Sequence, residues 1–510
     1  MKWLRLLILA FVFVGGSSGL GRPPGAPDKG SKLFVSQFEN VLGTSMELKV
    51  LAGSARDASM AEAAATKEIG RLQNILSAYD DHSEFSAWLR TSHAAVRVSP
   101  ELFEVLGLFD RWRIASGGAL DASAEVITKL WKQAAAQGRV PTAPELAAAV
   151  AQVREAHWAL DPVAHTATHL SDAPLMLNSF AKSYIIKRAA DAAMAAGGVR
   201  AVVVNIGGDL VIAGDLKETV QISDPKADAE NDPPIDQLAL ANRAVATSGN
   251  YRRGELIGGH WYSHIVDPRT GQPADAVISA TVVAPSATDA GALATTFNVL
   301  SPAESVRLAA GIPGVEYLIV TRDGRRIEST GWKALETAPT SAPVDTSASA
   351  SVRAPASAPA AEPFELLVSV EINLQKEGFA KRPYVAVWVE DENHAPVKTI
   401  ALWHGSDRYI PELKSWYLKY RELYNGNLEF NPSVTSATRS AGKYTVRWGG
   451  LDDHGNPVKP GKYTIKIEAT REHGTYQLMR QEITCDDTPK KIDLTGNVEI
   501  ASASLDYSKK

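Results

Sequence analysis

A segment dominated by alanine, serine, proline and threonine divides this chain of 510 residues into two parts. The segment spans residues 337–363 and offers almost no large apolar side chain for a core. Such a composition favours a solvated, partly extended linker over a packed element. The sequence therefore predicts a body at residues 33–336 and a separate tail domain at residues 364–510.

The N-terminus has the three-part pattern of a secretory signal. Lys2 and Arg5 precede the apolar residues 6–14, and small residues follow at 15–19. Because a membrane-spanning helix needs about 20 residues, this run is too short to span, and we expect a cleaved signal at residues 1–21. We expect a protein that is periplasmic or otherwise exported and is soluble once the signal is removed. Because no cysteine follows the run, we do not expect a lipoprotein. A retained membrane anchor is the alternative.

Charge and cysteine content narrow the classes of function. The formal net charge of -5 gives no indication of nucleic acid binding. The single cysteine, Cys485, rules out a disulfide within the chain, and we expect it to be a small buried apolar residue.

The body mixes helical and extended patterns without regular alternation. Apolar residues at spacings of three and four predict helices over residues 59–77, 102–112, 122–136 and 180–196. Apolar runs predict strands over residues 201–204, 210–213, 220–223, 278–284 and 316–321. This grouping indicates an α+β domain rather than a doubly wound parallel sheet.

Two segments between these elements have polar groups beside turns. His264-Ile-Val-Asp-Pro-Arg-Thr-Gly271 combines groups that can handle phosphate, but Asp-Pro and Thr-Gly are also ordinary turn dipeptides. Asn205-Ile-Gly-Gly-Asp209 permits close backbone approach, and a hairpin turn would use the same residues. No glycine-rich dinucleotide or Walker-type loop opens a helix, which argues against the standard nucleotide-binding folds.

Eight short blocks of the body, in order along the chain, together resemble the ApbE family of FAD:protein FMN transferases. The blocks are Leu42-Gly-Thr44, residues 77–79 with 83–86, residues 118–121 ahead of 130–131, residues 177–182, 205–209, 246–249, 264–271 and 293–295. The resemblance covers residues 33–336. It implies an ApbE-like α+β body that takes FAD, attacks its pyrophosphate with a Thr or Ser hydroxyl of an acceptor protein, and leaves FMN on that protein while AMP departs.

The same resemblance implies roles for individual residues. His264 would be the base that removes the hydroxyl proton, since the pKa range of histidine suits proton removal near neutral pH. The residues that would contact the flavin, its ribityl chain or its phosphates are Leu42, Tyr79, Ala119, Leu120, Asp121, Lys182 and Ile265. Arg269 and Thr270 are further candidates on the phosphate side. Packing in the core is the alternative role, above all for Leu42 and Ile265.

The resemblance also implies a divalent cation, usually Mg²⁺, and the chain departs from the family's pattern there. Gly291 stands where the family has an aspartate, and Met176 replaces a second acidic residue. The remaining candidate ligands are the Ser179 carbonyl and Thr295, although Mg²⁺ normally needs a carboxylate. Asp289 would substitute if residues 286–290 formed a flexible loop, whereas a helix would turn it about 200° away from Gly291.

The same family pattern has glycines where this chain has Asn178, Ser179 and Ser183.

The tail has short strand-like runs separated by turn clusters, which is typical of an all-β sandwich. Residues 364–372, 384–390, 398–403, 444–448 and 463–467 are such runs. The tail resembles immunoglobulin-like modules of exported bacterial proteins, and an uncharacterised periplasmic domain found with ApbE-like proteins. Its aromatic residues Trp403, Trp416, Tyr417 and Tyr420 form either a binding face for a protein partner or part of the core and hairpins, and the second is favoured.

Three functions remain open from the sequence. The first is an exported transferase whose tail docks the acceptor protein. The second is a catalytically impaired FAD-binding carrier or scaffold, which Gly291 favours. The third is a Mg²⁺-dependent FAD pyrophosphatase with water as the nucleophile. Because His264, Lys182 and Thr295 are retained, we expect the first.

Overall fold

The structure is a computed structural model. It describes residues 30–227, 229, 232–250, 253–337, 364–373, 382–404, 407–424, 435–436, 438–439, 441–471, 475–509. The predicted signal at residues 1–21 lies outside the described residues, and so does the predicted linker except Thr337. Within the described part of the chain, no helix has the length and apolar character to cross a membrane.

The body contains fifteen strands and eight α-helices among its described residues. The strands are β1 (Lys32–Val41), β2 (Thr44–Ala52), β3 (Ala95–Arg97), β4 (Trp158–Asp161), β5 (Thr166–His169), β6 (Val199–Ile206), β7 (Asp209–Gly214), β8 (Glu218–Ile222), β9 (Asp236–Leu240), β10 (Ala244–Gly249), β11 (Gly254–Ile257), β12 (His260–Ser263), β13 (Val277–Ala284), β14 (Glu316–Thr321) and β15 (Arg326–Glu328). The helices are α1 (Ala55–Leu76), α2 (Glu84–Leu89), α3 (Pro100–Ala115), α4 (Glu125–Ala136), α5 (Ala143–Val153), α6 (Ala181–Met194), α7 (Ala287–Val299) and α8 (Pro302–Ala310).

One eight-stranded sheet organises the body, in the order β1-β2-β6-β7-β10-β13-β14-β15. Every neighbouring pair in it is antiparallel. The predicted α+β class is therefore confirmed. Helices α1, α3, α6 and α7 cover one face and share the largest core with it. A second core, which includes Trp332 and residues of β8 and β9, covers the other face. Strand β13 is almost wholly buried because both of its faces are covered.

Two tight hairpins lie at adjacent strand pairs of this sheet. Leu42 and Gly43 connect β1 to β2 with φ of 52° and 76°, and Gly207 and Gly208 connect β6 to β7 with φ of 58° and 92°. Two successive residues with positive φ form the turn that matches the twist of a hairpin. The hairpin interpretation of residues 205–209 is thus confirmed.

A satellite unit holds the segment at residues 264–271. Helices α4 and α5 pack against the β11–β12 hairpin around a small core that includes Ile127, Trp131 and Val266. Trp131 donates from its indole nitrogen to the Gly271 carbonyl at 2.9 Å. This packing ties the far end of the segment to α4.

The tail is a sandwich of two sheets. Its elements are β16 (Phe364–Ile372), β17 (Tyr384–Asp391), β18 (Pro396–Trp403), α9 (Lys414–Tyr424), β19 (Thr435–Ser436), β20 (Gly442–Trp448), β21 (Gly461–Thr470), β22 (Tyr476–Cys485), β23 (Lys490–Thr495) and β24 (Ile500–Lys509). The sheets have the orders β20-β16-β24-β23 and β19-β18-β17-β21-β22. Cys485 is buried in the core between them, as predicted, and burial raises the pKa of its thiol to about 12.

The predicted β-sandwich of the tail is confirmed, and α9 is the one α-helix among its described residues. Trp416 and Tyr420 lie one turn apart on it and stack with ring centroids 5.3 Å apart. Both are buried, as is Trp403, which confirms the predicted core role. The hairpin placement of Trp416 and Tyr420 is wrong, because their spacing of four places both on one face of a helix.

The body and the tail touch along β1. The Arg382 guanidinium donates to the Phe38 carbonyl at 3.0 Å, and Thr438 donates to the Gln37 side chain at 2.5 Å. Residues 37 and 38 lie a few positions before the turn at Leu42, so the tail contacts the strand that leads to that turn.

Candidate functional site

His264 follows strand β12 and is held by a single carbonyl group. Its backbone N–H and its ring Nδ1 both approach the Arg253 carbonyl oxygen, at 3.2 Å and 3.1 Å. A carbonyl oxygen only accepts, so Nδ1 bears the proton and Nε2 has the lone pair. Desolvation lowers the pKa of His264 below its ordinary 6.5, and nearby Arg253 and Lys132 lower it further. The residue still reaches solvent, so a neutral and accessible base is available.

The turn after His264 is fixed by Asp267. Its carbonyl accepts from the Gly271 N–H at 2.8 Å, and its carboxylate binds the Arg269 guanidinium at 2.9 Å. Arg269 also reaches Glu304 at 3.2 Å. The guanidinium therefore already has two carboxylate partners, which weakens the case for Arg269 as a phosphate ligand.

The loop before α6 brings three predicted segments together. The Met176 N–H donates to the Ala122 carbonyl at 2.9 Å, beside residues 119–121. Asn178 donates to the Tyr79 hydroxyl at 2.7 Å. Thr295 donates to the Ser179 carbonyl at 3.1 Å. Three blocks that are far apart in sequence thus meet around this loop.

Asp209 lies beside the start of α6, where it contacts Lys182 and Ser183. The sequence did not single it out as a site residue. Its carboxylate accepts from the Lys182 ammonium at 2.9 Å, from the Ser183 hydroxyl at 3.4 Å and from the Thr247 backbone N–H at 3.3 Å. Asp209 is buried. The only signal in the sequence was its place at the end of the Asn205-Ile-Gly-Gly-Asp209 block.

The Leu42 turn lies beside that block. The Gly207 N–H donates to the Ser45 carbonyl at 3.0 Å, and a Cβ added at Gly207 would come within 2.7 Å of the Thr44 side chain. Only glycine allows the two hairpins to approach this closely. Leu42 is thereby placed next to the loop that carries Asp209.

The side chains of Ala119, Leu120 and Asp121 are buried or paired within the protein. Ala119 and Leu120 are buried, and the Asp121 carboxylate pairs with Arg113 at 2.8 Å and accepts from the Ser123 hydroxyl at 2.7 Å. The carboxylate of Asp121 is therefore occupied by protein groups.

Tyr79 and Ile265 differ in their exposure. The Tyr79 side chain is 77% exposed and presents an aromatic face to solvent. Ile265 is half-buried, and its carbonyl accepts from the Ala274 N–H at 2.8 Å. An exposed aromatic ring is unusual for core packing and suits stacking against a planar ligand.

The candidate metal ligands Ser179, Asp289 and Thr295 are all paired with protein groups. Residues 287–290 are the first turn of α7, so the flexible-loop alternative for residues 286–290 is wrong. Asp289 pairs with Arg111 at 2.8 Å. The remaining candidate ligands are the Thr295 hydroxyl and the Ser179 carbonyl. Neither is the carboxylate that Mg²⁺ normally needs.

One cluster of three acidic side chains close enough to share a cation occurs among the described residues, and it lies elsewhere. It consists of Asp236, Glu328 and Glu336. Arg326 pairs with Asp236 and Glu328, and Lys333 pairs with Glu336 at 2.9 Å. Each of the three carboxylates is thus paired with Arg326 or Lys333, so the cluster is a structural ion-pair network.

Comparison with known families decides the assignment of the body. A sequence profile of the ApbE family matches residues 42–319, more than half of the chain. The chain belongs to the ApbE family. A second profile, described as "Predicted periplasmic protein (DUF2271)", matches residues 365–502 and so covers the tail.

Relatives of the ApbE body are named FAD:protein FMN transferases. The protein of Treponema pallidum is 29% identical over 319 residues, covering 58% of this chain and 87% of that protein. The protein of Vibrio cholerae is 31% identical over 277 residues, covering 50% and 80%.

Solved ApbE structures share the fold. The ApbE protein of Thermotoga maritima matches with a TM-score of 0.53 and 26% identity, over 60% of this chain and 100% of that one. The flavinyl transferase ApbE of Pseudomonas stutzeri matches with a TM-score of 0.51 and 23% identity, over 61% and 98%.

Proposed function

We propose that this ApbE protein is an exported FAD:protein FMN transferase that moves FMN from FAD to a Thr or Ser hydroxyl of an acceptor protein. The names of its relatives support this activity. The observation that carries the proposal is the His264 imidazole, whose Nδ1 is fixed on the Arg253 carbonyl and whose Nε2 is available.

In the proposed reaction that nitrogen takes the proton of the acceptor hydroxyl. The acceptor hydroxyl oxygen forms a bond to the FMN-side phosphorus, and its proton moves to His264 Nε2. The bond from this phosphorus to the bridging oxygen breaks, and the electron pair leaves with AMP. Because burial lowers the pKa of His264, the ring is neutral and basic near pH 7.

The flavin and phosphates would be bound by the groups around the loop before α6. Tyr79 offers a face for stacking, and the segment Ala119, Leu120 and Asp121 would contact the flavin or its ribityl chain. Leu42 and Ile265 would line the apolar wall. Lys182 lies in the first turn of α6, where helix N–H groups and the dipole also favour phosphate.

The family implies a divalent cation, but the residues at the corresponding position do not fit one. Gly291 contributes no ligand and Asp289 is paired with Arg111. The proposed steps therefore use only groups of the protein.

Covalent flavin transfer tests the proposal directly. The purified chain is incubated with FAD and with an acceptor protein that the Vibrio cholerae relative modifies, and in-gel flavin fluorescence and AMP release are measured. The expected result is a labelled acceptor with one AMP per label. Absence of label while FAD binds would contradict the proposal and favour the carrier function, which Gly291 also supports. Release of FMN and AMP without label would instead identify an FAD pyrophosphatase.

The match of the tail to a predicted periplasmic domain and the predicted signal both support a periplasmic location. In the proposed function, the tail domain docks the acceptor protein. Cell fractionation with a periplasmic marker checks the location, and palmitate labelling checks the prediction that the protein is not a lipoprotein. Recovery in the cytoplasm or incorporation of palmitate would contradict it.

A further inference from the structure

We infer that the phosphate end of this site works without a resident divalent cation, and that Lys182 supplies the positive charge there. This inference rests on the proposed function, because it assigns the phosphate-binding groups of that same site. Four observations on the chain's own residues carry it.

The first observation is that Ser183 fills the space beside Gly291. A Cβ added at Gly291 would lie 2.9 Å from the Ser183 Cβ, closer still to its hydroxyl oxygen, and 3.4 Å from the Phe180 Cβ. Real Cβ atoms do not approach other carbons to 2.9 Å, so no side chain fits at position 291 while Ser183 is present. The position from which a cation-binding carboxylate would reach Thr295 is therefore closed.

The second observation concerns the donors that remain. The Thr295 hydroxyl donates to the Ser179 carbonyl at 3.1 Å, so these two oxygens bind each other. Both are neutral, and Mg²⁺ sheds its hydration water reluctantly without an anionic ligand. A hydroxyl and a carbonyl alone do not compensate that cost.

The third observation is that the carboxylate of Asp209, which accepts from Ser183, already pairs with a cation. Asp209 accepts from Lys182 at 2.9 Å, from Ser183 at 3.4 Å and from the Thr247 N–H at 3.3 Å. A cation bound to Asp209 would have to displace the Lys182 ammonium. Asp209 therefore acts as a positioning residue for Lys182.

The fourth observation is that Lys182 is held but not enclosed. Its side chain is 32% exposed although its ammonium pairs with Asp209. An ammonium has three donors, and the pair leaves it able to donate to a phosphate oxygen as well. Its place in the first turn of α6 adds the favourable helix dipole at the same end.

Ser183 and Gly291 thus form a matched pair in which one side chain occupies the room of the other. Gly291→Asp alone would force the new side chain against Ser183. The double variant S183G/G291D opens the space and adds a carboxylate beside Thr295. Only the double variant is expected to gain a cation site.

Binding of Mn²⁺ alone, followed by electron paramagnetic resonance, tests the absence of a cation site without using activity. The full chain is expected to bind no stoichiometric Mn²⁺ at concentrations up to about 1 mM, whereas S183G/G291D binds one ion, since it has the carboxylate ligand that hard cations need. Two control variants make the same substitutions outside the site. Gly70→Asp adds an aspartate at an open helical position, and Ser305→Gly removes a buried helical serine. Stoichiometric Mn²⁺ binding by the unaltered chain would overturn the inference.

The affinity for FAD tests whether Lys182 binds the phosphates. It also tests whether a cation binds only when FAD is present. The dissociation constant, from quenching of flavin fluorescence, is expected to be the same in EDTA and in Mg²⁺. Lys182→Met is expected to weaken FAD binding about tenfold or more in both buffers, since it removes a charge-assisted hydrogen bond to phosphate. A tenfold loss of affinity in EDTA, or unchanged affinity of K182M, would contradict the inference.

These results separate the inference from the proposed function. If FAD binds equally in EDTA and Mg²⁺ but no acceptor is labelled, the cation-free site stands and the transferase proposal fails. If the acceptor is labelled only with Mg²⁺, the transferase proposal stands and the cation-free site fails.

Discussion

The ring Nδ1 of His264 donates to the backbone carbonyl oxygen of Arg253 at 3.1 Å. This contact selects the tautomer with a proton on Nδ1, and it aims Nε2 away from Arg253. Because the same carbonyl also accepts from the His264 backbone N–H at 3.2 Å, ring and backbone share one anchor. The His264 ring is thus oriented by the chain that enters the β11–β12 hairpin.

The pH dependence of transfer follows from that environment. Burial lowers the pKa of His264 below 6.5, so the neutral base is fully present above pH 6.5 and is lost as pH falls through the lowered value. We expect kcat/KM for transfer to be flat near neutral pH and to fall on an acidic limb with its midpoint below 6.5. An acidic limb centred above 6.5 would contradict this. FAD affinity over the same pH range is the control.

Tyr79 separates stacking from hydrogen bonding in FAD binding. Tyr79→Phe keeps the ring and loses the hydroxyl that accepts from Asn178, so we expect little change in the dissociation constant for FAD. Tyr79→Ala removes the exposed face, and we expect binding to weaken about tenfold, since an aromatic pair contributes roughly 0.5–1.5 kcal/mol beyond its buried area. Equal affinity of the two variants would show that Tyr79 does not stack on the flavin.

Asp209 links stability to the site. Asp209→Asn keeps the shape of the side chain but removes the charge that pairs with Lys182 at 2.9 Å. We expect the free energy of unfolding to fall by about 1–3 kcal/mol, because a charged hydrogen-bonding network in a buried position loses its anion. Chemical denaturation measures this. Asp191→Asn, at an exposed helical pair with Lys187, is the control and is expected to change the free energy little. An equal effect of both variants would contradict the account.

The contact between the tail and β1 is tested at Arg382. Its guanidinium donates to the carbonyls of Phe38 and Thr438, at 3.0 Å and 2.8 Å, and burial lowers its pKa to about 10. We expect Arg382→Met to increase amide hydrogen exchange in β1 and in the turn at Leu42. Arg480→Met, at an exposed position of β22, should leave exchange unchanged. Unaltered protection of β1 in R382M would show that the tail does not brace this strand.

Elements with long apolar runs between turn signals were predictable from the sequence. Strand β14 coincides with the predicted residues 316–321, and β13 begins one residue before the predicted 278. The β1–β2 hairpin was not predicted, although Met46, Leu48 and Val50 alternate with polar residues in β2, which is the pattern of a half-buried strand. Helix α9 was not predicted because its aromatic residues favour strands on local propensity. In the structure Trp416 and Tyr420 are spaced four residues apart, so a helix places both in the core, and this burial stabilises the helix.

The blocks of the candidate site were predictable as a set, but the partners of their side chains were not. Asp121 pairs with Arg113, and Asp289 pairs with Arg111; both partners lie on or beside α3. The crowding between Ser183 and Gly291 joins α6 to α7. Such contacts depend on how helices pack over the sheet, which no local pattern encodes.

The most direct test of the central claim compares the unaltered chain with His264→Gln in covalent flavin transfer to the acceptor. Removing a general base is expected to slow transfer about 10²–10⁴-fold, with FAD affinity unchanged. His260→Gln, at an exposed position of β12, is the matched control and is expected to retain full transfer. If H264Q transfers FMN at the rate of the unaltered chain, His264 is not the base and the proposed mechanism is wrong.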